Sequence, residues 1–459
     1  MKNLSLFLAS IFLVGAAACG DNGNSGDDEP SIDGGVTSDA PIGGETIRLS
    51  EDITSNTTLT ANNTYVIPRM KQLFVKNNAV LTIEPGTVIQ GDQGSVLVIT
   101  RGAKIMAEGT ADKPIVLTTA QPTGAKTSGF WGGLLVLGNA PINVNTLSTP
   151  SSTEATYEAF TTAMPEGKFG GTNPADNSGV LKYVRVEFAG FNFVADREFN
   201  NLTLCGVGTG TVVDYVQVHG GSDDGIEIFG GTVNVKHIIS SQNQDDGFDT
   251  DNGWNGKAQF LVIQNINHPT TLPEASNGYE SDNHGTAASY QATPRTAPTV
   301  YNATLIGDHA YTGVASFAAV FRRGTGGHYV NHLWYGFPKG PEFRDAETKA
   351  NLESGALSIK SSMFFGNDGT PTNMPVAQAT NDIDEATYIM AAGNGNLTNV
   401  DPGMPAGALS KTAPTFKPGA PITGGATPPS DGFFDTSATF IGAVGSEDWT
   451  AGWTSYPQN

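Results

Sequence analysis

Two stretches of the chain repeat the same acidic pattern 22 residues apart: Ser222-Asp223-Asp224-Gly225-Ile226-Glu227-Ile228 and Gln244-Asp245-Asp246-Gly247-Phe248-Asp249-Thr250. A partial third copy, Asn277-Gly278-Tyr279-Glu280-Ser281-Asp282, follows an insertion. A period of about 20–25 residues in a Gly-rich, β-prone chain predicts a solenoid with one coil per repeat. The spacing stacks Asp223 on Asp245, Asp224 on Asp246 and Glu227 on Asp249, ~4.8 Å apart. Side chains alternate faces along a strand. If Ile226, Ile228, Phe248 and Tyr279 point inward, Glu227, Asp249 and Glu280 form an outward row. Like charges one strand apart repel by about 1 kcal/mol per pair even in water-like dielectric, so the row asks for a compensating cation. Asp223, Glu227, Asp249 and Glu280 are the candidate oxygen ligands for Ca2+. Arg322 or Arg323 could neutralise the row instead, if their strand is the next rung. The plain alternative is turn chemistry, with Asp bonding its own backbone and Gly supplying positive φ.

The bulk composition sets the context. The chain has 459 residues, 57 Gly, 26 Pro, only 15% charged residues and a formal net charge of −21. Length of this order suits a core that grows along one axis. The negative charge argues against nucleic acid, which needs clustered Lys and Arg. Only two cysteines occur, Cys19 and Cys205. The neighbours Leu204 and Val207 predict a buried, inert Cys205. Nothing calls for a second copy, so the expectation is a monomer.

Short alternating runs begin near Thr46 and recur between Gly, Pro and Asn turns, predicting strands of about three to six residues. The tripeptide Gly210-Thr211-Val212 returns as Gly231-Thr232-Val233, each before a strand, turn and second strand. Insertions are expected near 266–276 and 370–402, the latter holding one short helix around Glu385 to Ala391. Residues 403–459, rich in Pro and aromatics, are expected to fold back as a cap. Trp131, Trp254, Trp334 and Tyr335 are candidate exposed rings for stacking on sugars, or plugs for the coil ends. His328 and His332 lie four apart in a strand-like segment with no Glu to complete a zinc motif.

Leu81-Thr82-Ile83-Glu84-Pro85-Gly86-Thr87, Ala107-Glu108-Gly109-Thr110 and Phe130-Trp131-Gly132-Gly133-Leu134 resemble the opening coils of right-handed parallel β-helices of the pectin-lyase-like class. Further segments, including Tyr183-Val184-Arg185-Val186-Glu187-Phe188 and Trp449-Thr450-Ala451-Gly452-Trp453, resemble a group of uncharacterised bacterial surface lipoproteins with that fold. The resemblance spans residues 46–459 and implies an all-β, right-handed parallel β-helix with short capping segments and one small inserted helix. It also resembles polygalacturonase-like glycosidases at one place. There Asp224, Asp245 and Asp246 match the carboxylate rungs, but Asn283-His284-Gly285 and Ser358-Ile359-Lys360 depart from their Gly-His-Gly and Arg-Ile-Lys. A lyase would need a basic residue beside Ca2+ ligands, and Arg322 is the candidate.

The N-terminus reads as an address. Lys2 and the apolar run from Leu4 to Ala18 are too short to span a bilayer and end in Ala16-Ala17-Ala18-Cys19-Gly20. This resembles a lipobox, which implies a signal peptide over 1–18 and lipid on Cys19, anchoring the protein to the bacterial outer membrane. Residues 19–45, acidic and poor in apolar residues, form an expected flexible tether; their acidic content resembles a surface-export signal. The functional expectation is a tethered, non-catalytic binding or adhesion scaffold for a long polymer such as polysaccharide, with a Ca2+-sensitive acidic strip. The alternative is a glycoside hydrolase or polysaccharide lyase.

Overall fold

Runs such as Val80–Ile83 and Lys104–Glu108 bury alternate residues and stop at turns, so the chain bends every few residues and each strand finds its partner one coil away. A computed structural model describes residues 44–144, 153–193, 197–267, 276–311, 316–367, 383–398 and 400–458. The described residues belong to one compact unit, Asp39–Asn459. They form a right-handed parallel β-helix with three faces.

The first face is a nine-stranded sheet whose rungs, from the N-terminal end, begin with Gln72–Val75, Val96–Ile99 and Leu134–Leu137. Leu202–Val207, Ile226–Gly231, Phe248–Asp251, Tyr279–Asp282, Phe317–Arg322 and Lys339–Phe343 complete it, every pairing parallel. In the early coils the second and third faces are separate strands, for example Val80–Ile83 and Val88–Gly91. From Gly179 to Gly307 they merge, and in the last coils they separate again, as Gly327–Val330 and Leu333–Tyr335. Gly179–Glu187, Lys257–Asn265 and Thr299–Gly307 are each nine residues long, longer than expected.

The merging has a local cause. Each long strand turns its corner in a single left-handed residue: Tyr183, Tyr215, His237, Phe260 and Asn302 have φ between 50° and 63°. That conformation costs a non-glycine residue roughly 1–2 kcal/mol. Ring stacking offsets it, with Tyr183 4.4 Å from Tyr215, Tyr215 4.2 Å from His237, and His237 4.9 Å from Phe260.

Inward side chains of the three faces, among them Ile226, Ile228, Phe248, Val235 and Ile263, make one continuous core. Trp131, Trp254 and Trp334 belong to it and are 0% exposed, so they are not surface platforms; only Tyr335 is part-exposed. Trp131 Nε1 donates to Glu187 O at 2.9 Å and Trp254 Nε1 to Val233 O at 3.0 Å, whereas Trp334 Nε1 has no partner among the described residues and its ring is held by stacking on His332 and Phe364. Cys205 is free and fully buried.

The repeated Gly-Thr-Val is out of step with the coil. Val212 pairs with Asn234, not Val233. Val212 is 45% exposed whereas Val233 is 0% exposed, because core parity, not identity of letters, sets the register.

Two α-helices occur among the described residues. α2, Glu385–Met390, falls where one was expected and buries Ile389 in the core. α1, Ala346–Ser354, was not expected; it lacks an amphipathic stripe but is started by Asp345, whose side chain accepts from Thr348 N, and stopped by left-handed Gly355. Residues 268–275 of the expected 266–276 insertion, and residues 370–382 and 399 of the expected 370–402 insertion, lie outside the described residues. A further excursion between the first and second faces carries Ala155–Thr156 and Lys168–Phe169, an antiparallel pair. Tyr157, Phe160 and Phe169 from it cover the outer side of the early first face at Phe74, Val98 and Leu135.

Residues 403–458 do fold back, along the flank of the third face rather than over an end. The outward side chains there, Ile239, Val262 and Ile306, are apolar and are covered by Phe416, Val444 and Trp453.

Candidate functional site

The acidic row forms because the first face keeps register through it. Glu227 pairs with Asp249, and Asp249 with Glu280. The next rung places Val320 beside Glu280 and Arg322 beside Asp282. Arg322 then reaches sideways: its Nε donates to Asp282 Oδ1 at 2.9 Å and its Nη2 to Glu280 Oε1. Arg323 Nη1 donates to Asp282 Oδ2 at 2.6 Å. The C-terminal end of the row is thus neutralised internally.

Upstream, the turns entering each rung are pinned by buried asparagines. Asn243 Oδ1 accepts from Gly221 N at 2.9 Å and from Asn201 Nδ2 at 2.8 Å. Asn265 Nδ2 donates to Asp245 O and Asn277 O, both at 2.7 Å. Asn200 ties the turn to the row, accepting from Asp224 N at 3.1 Å and donating to Glu227 Oε2 at 2.6 Å. Asp224 Oδ1 in turn accepts from Asp246 N at 2.9 Å, so successive acidic turns are bonded to one another.

Together these groups line an open cleft of about 330 Å³. Its carboxylates are Asp223, Asp224, Glu227, Asp245, Asp246, Asp249 and Glu280, joined by Glu158 from the excursion over the first face. Asn277 and Arg322 complete the lining. Two trios offer oxygens all within 4.8 Å of one another: Asp223, Asp224 and Asp245, and Asp224, Glu227 and Asp249. Asp224 is common to both. Glu280, expected among the ligands, is in neither trio and accepts from Arg322 instead.

Burial and crowding work against ionisation here. Burial, then Asp223 and Asp249, hold the Asp224 carboxyl well above its ordinary range. Asp223, Glu227, Asp249 and Glu280 are raised for the same first reason. Asp251 is pushed up to about 7 by burial and Asp282. Glu158, exposed at the rim, is raised to about 7 by surrounding protein and by Glu198. Asp249 Oδ1 is buried with no hydrogen-bond partner among the described residues. A cation is the kind of partner that such crowded oxygens would accept. Oxygens on opposite sides of a Ca2+ ion stand ~4.6–5.2 Å apart, so the trios have a fitting spread.

Arg322, by contrast, is raised above its ordinary value by Asp282 and Glu280 despite burial that opposes it. A guanidinium held between two carboxylates does not take up a proton from a substrate. The other candidates fall elsewhere. His328 is exposed on the second face, 2.9 Å from Ser358 Oγ, while His332 is buried beside Tyr279 and pushed down to about 3 by burial. Lys360 sits on the second face beside Val330, and His284 does not line the cleft. Sequence reasoning missed Glu158, which lies outside any repeat, and Asn200, whose neighbour Asn201 and distance of 24 residues to Asp224 gave the only hint.

A family model described as a pectate-lyase-like β-helix domain matches residues 51–454. No curated protein and no solved structure matches the chain. Since that match covers most of the 459 residues, the chain belongs to the pectate-lyase-like β-helix domain family.

Proposed function

We propose that this protein is a surface-tethered lipoprotein of the bacterial outer membrane, anchored through Cys19, whose first face binds an extended polysaccharide with Ca2+ held in the acidic cleft. The observation that carries the reading is the pair of oxygen trios sharing Asp224 in a cleft whose one lining guanidinium is engaged at the far end. Carboxylate oxygens within 4.8 Å suit a shared cation better than the ~6.5–9.5 Å carboxyl spacing that admits water in inverting hydrolysis. Binding without cleavage also fits an Arg322 that is unfit as a base. The test is retention on immobilised polysaccharides in Ca2+ and in chelator. Retention lost in chelator and in Asp224→Asn supports the reading; retention unchanged by chelator refutes it.

One observation favours a second reading, glycoside hydrolysis. Glu158, at about 7, stands in the same cleft as Asp245 and Asp246, so a protonated acid faces ionisable partners near neutral pH. Reducing-sugar release that disappears in both Glu158→Gln and Asp245→Asn would replace the binding reading with this one.

A further inference from the structure

The nine rungs of the first face carry one outward row, and only its middle reaches solvent. The first four members, Phe74, Val98, Leu135 and Thr203, are buried. Glu227, Asp249 and Glu280 follow and are part-exposed. The last two, Val320 and Glu342, are buried again, at 0% and 4% exposed. The accessible stretch therefore spans two strand spacings, about 10 Å, although the sheet continues on both sides of it.

Each border is built. Toward the N-terminal end, Tyr157, Phe160 and Phe169 lie over Phe74, Val98 and Leu135. That wall is fastened, because Lys76 Nζ pairs with Glu166 Oε1 at 3.1 Å, Arg101 Nη1 donates to Gly170 O at 2.9 Å and Tyr157 Oη to Glu198 O at 2.8 Å. Toward the C-terminal end, Arg322 leans back to Glu280, and Arg344 Nε donates to Glu342 Oε1 at 2.9 Å. The far ends of the strands close the third side. Phe229 lies under Tyr157 and Phe169, with ring centroids 5.9 and 6.4 Å away. Asp282 is held by Arg322 and Arg323, and Asp251, the register partner of Phe229, does not line the cleft. The fourth side differs, for there the part-exposed turn residues Asp223 and Asp245 line the cleft.

A polymer bound by its middle must both enter and leave, and this cleft has one mouth. Its volume of about 330 Å³ lies at the lower end of the ~300–1,000 Å³ typical of small-molecule pockets. We propose that the cleft takes the end of a polysaccharide chain, which enters past Asp223 and Asp245 and leaves the rest of the chain outside. End recognition rests on the polysaccharide reading of the cleft and narrows it to one part of the chain. Glu158, on the fastened wall, then stands beside the terminal sugar.

The test counts binding sites per gram of polymer by isothermal titration calorimetry of the full-length protein in saturating CaCl2. The probes are alginate, which carries carboxylates that calcium can bridge, and dextran, which carries none; each is used intact and partly hydrolysed. Cutting the chains to about a tenth of their length multiplies the ends about tenfold, and sites per gram should rise by the same factor. Sites per gram unchanged by shortening would overturn end recognition while leaving polysaccharide binding in place. No heat with either polymer in either form would overturn the polysaccharide reading itself, and end recognition with it. Tyr157→Ala combined with Phe160→Ala unseats the N-terminal wall, and sites per gram of intact polymer should then rise several-fold. No rise, in a variant that still unfolds cooperatively, would overturn the part given to that wall.

Discussion

Asp224→Asn is the substitution on which the cleft turns, because Asp224 alone belongs to both oxygen trios. The replacement is nearly isosteric, and the new amide oxygen can still accept from Asp246 N, where the 2.9 Å bond now lies. Each charged neighbour within 4.8 Å repels an ionised Asp224 by about 3 kcal/mol at an effective dielectric of ~20. Their raised protonation already relieves much of this, so the substitution should stabilise the metal-free protein by only about 1–3 kcal/mol. In a chain of this length that raises the melting temperature by about 1–3 °C. Calcium acts oppositely. At ~100 times its dissociation constant a bound ion adds about 2.7 kcal/mol to the native protein, and the variant should forfeit more than half of that. The assay is thermal unfolding followed by circular dichroism, for parent and variant, in chelator and in saturating CaCl2. The reasoning is refuted if the parent shows no calcium shift, if the variant keeps all of it, or if the variant melts lower than the parent in chelator.

Further tests address neighbouring links of the argument. Asp251 and Glu158 are raised from 3.8 and 4.5 to about 7, so the native protein binds extra protons between pH ~4 and ~7. Metal-free stability should therefore be greatest near pH 4 to 5 and fall as pH rises through 7, and calcium should flatten that fall; melting curves in chelator that rise with pH would contradict it. Asn243→Ala leaves Gly221 N and the Asn201 amide without their acceptor and should cost about 2–4 kcal/mol, measured by denaturant unfolding, with a loss of calcium response because the turn before Asp223 loosens. Trp254→Ala empties the core between Phe248 and the Val233 carbonyl and should cost about 3–5 kcal/mol by the same measurement. Cys19→Ser should move the protein from the membrane to the soluble fraction; unchanged fractionation would remove the lipid anchor from the proposal.

The acidic row was legible because both of its determinants repeat with the coil. Ile226 and Phe248 fix the inward parity, and 22 residues separate Glu227 from Asp249. Where only letters repeated, legibility failed. Gly-Thr-Val recurs at 21 residues while the coil there runs at 22, so Val212 faces solvent and Val233 the core. The tryptophans misled for a different reason. Their size suggested surface rings, yet a wide three-sided core holds the indoles, two with the N–H on a carbonyl, Trp131 and Trp254, and Trp334 by ring stacking alone. Glu158 was invisible because it arrives from a loop with no periodicity. Its position depends on Tyr157 and Phe160 seating the loop on Phe74 and Phe199.

The one-residue corner between the second and third faces also governs how such a molecule can change over evolutionary time. Between Gly179 and Gly307 no segment can be added there without breaking a bent strand, so growth and shrinkage of those coils are channelled to the other two corners. The excursion bearing Glu158, the loop before Phe317–Arg322 and the helix after Lys339–Phe343 all sit at those permissive places. Descendants of this architecture can therefore rebuild the walls of the cleft freely while inheriting the strapped flank almost untouched.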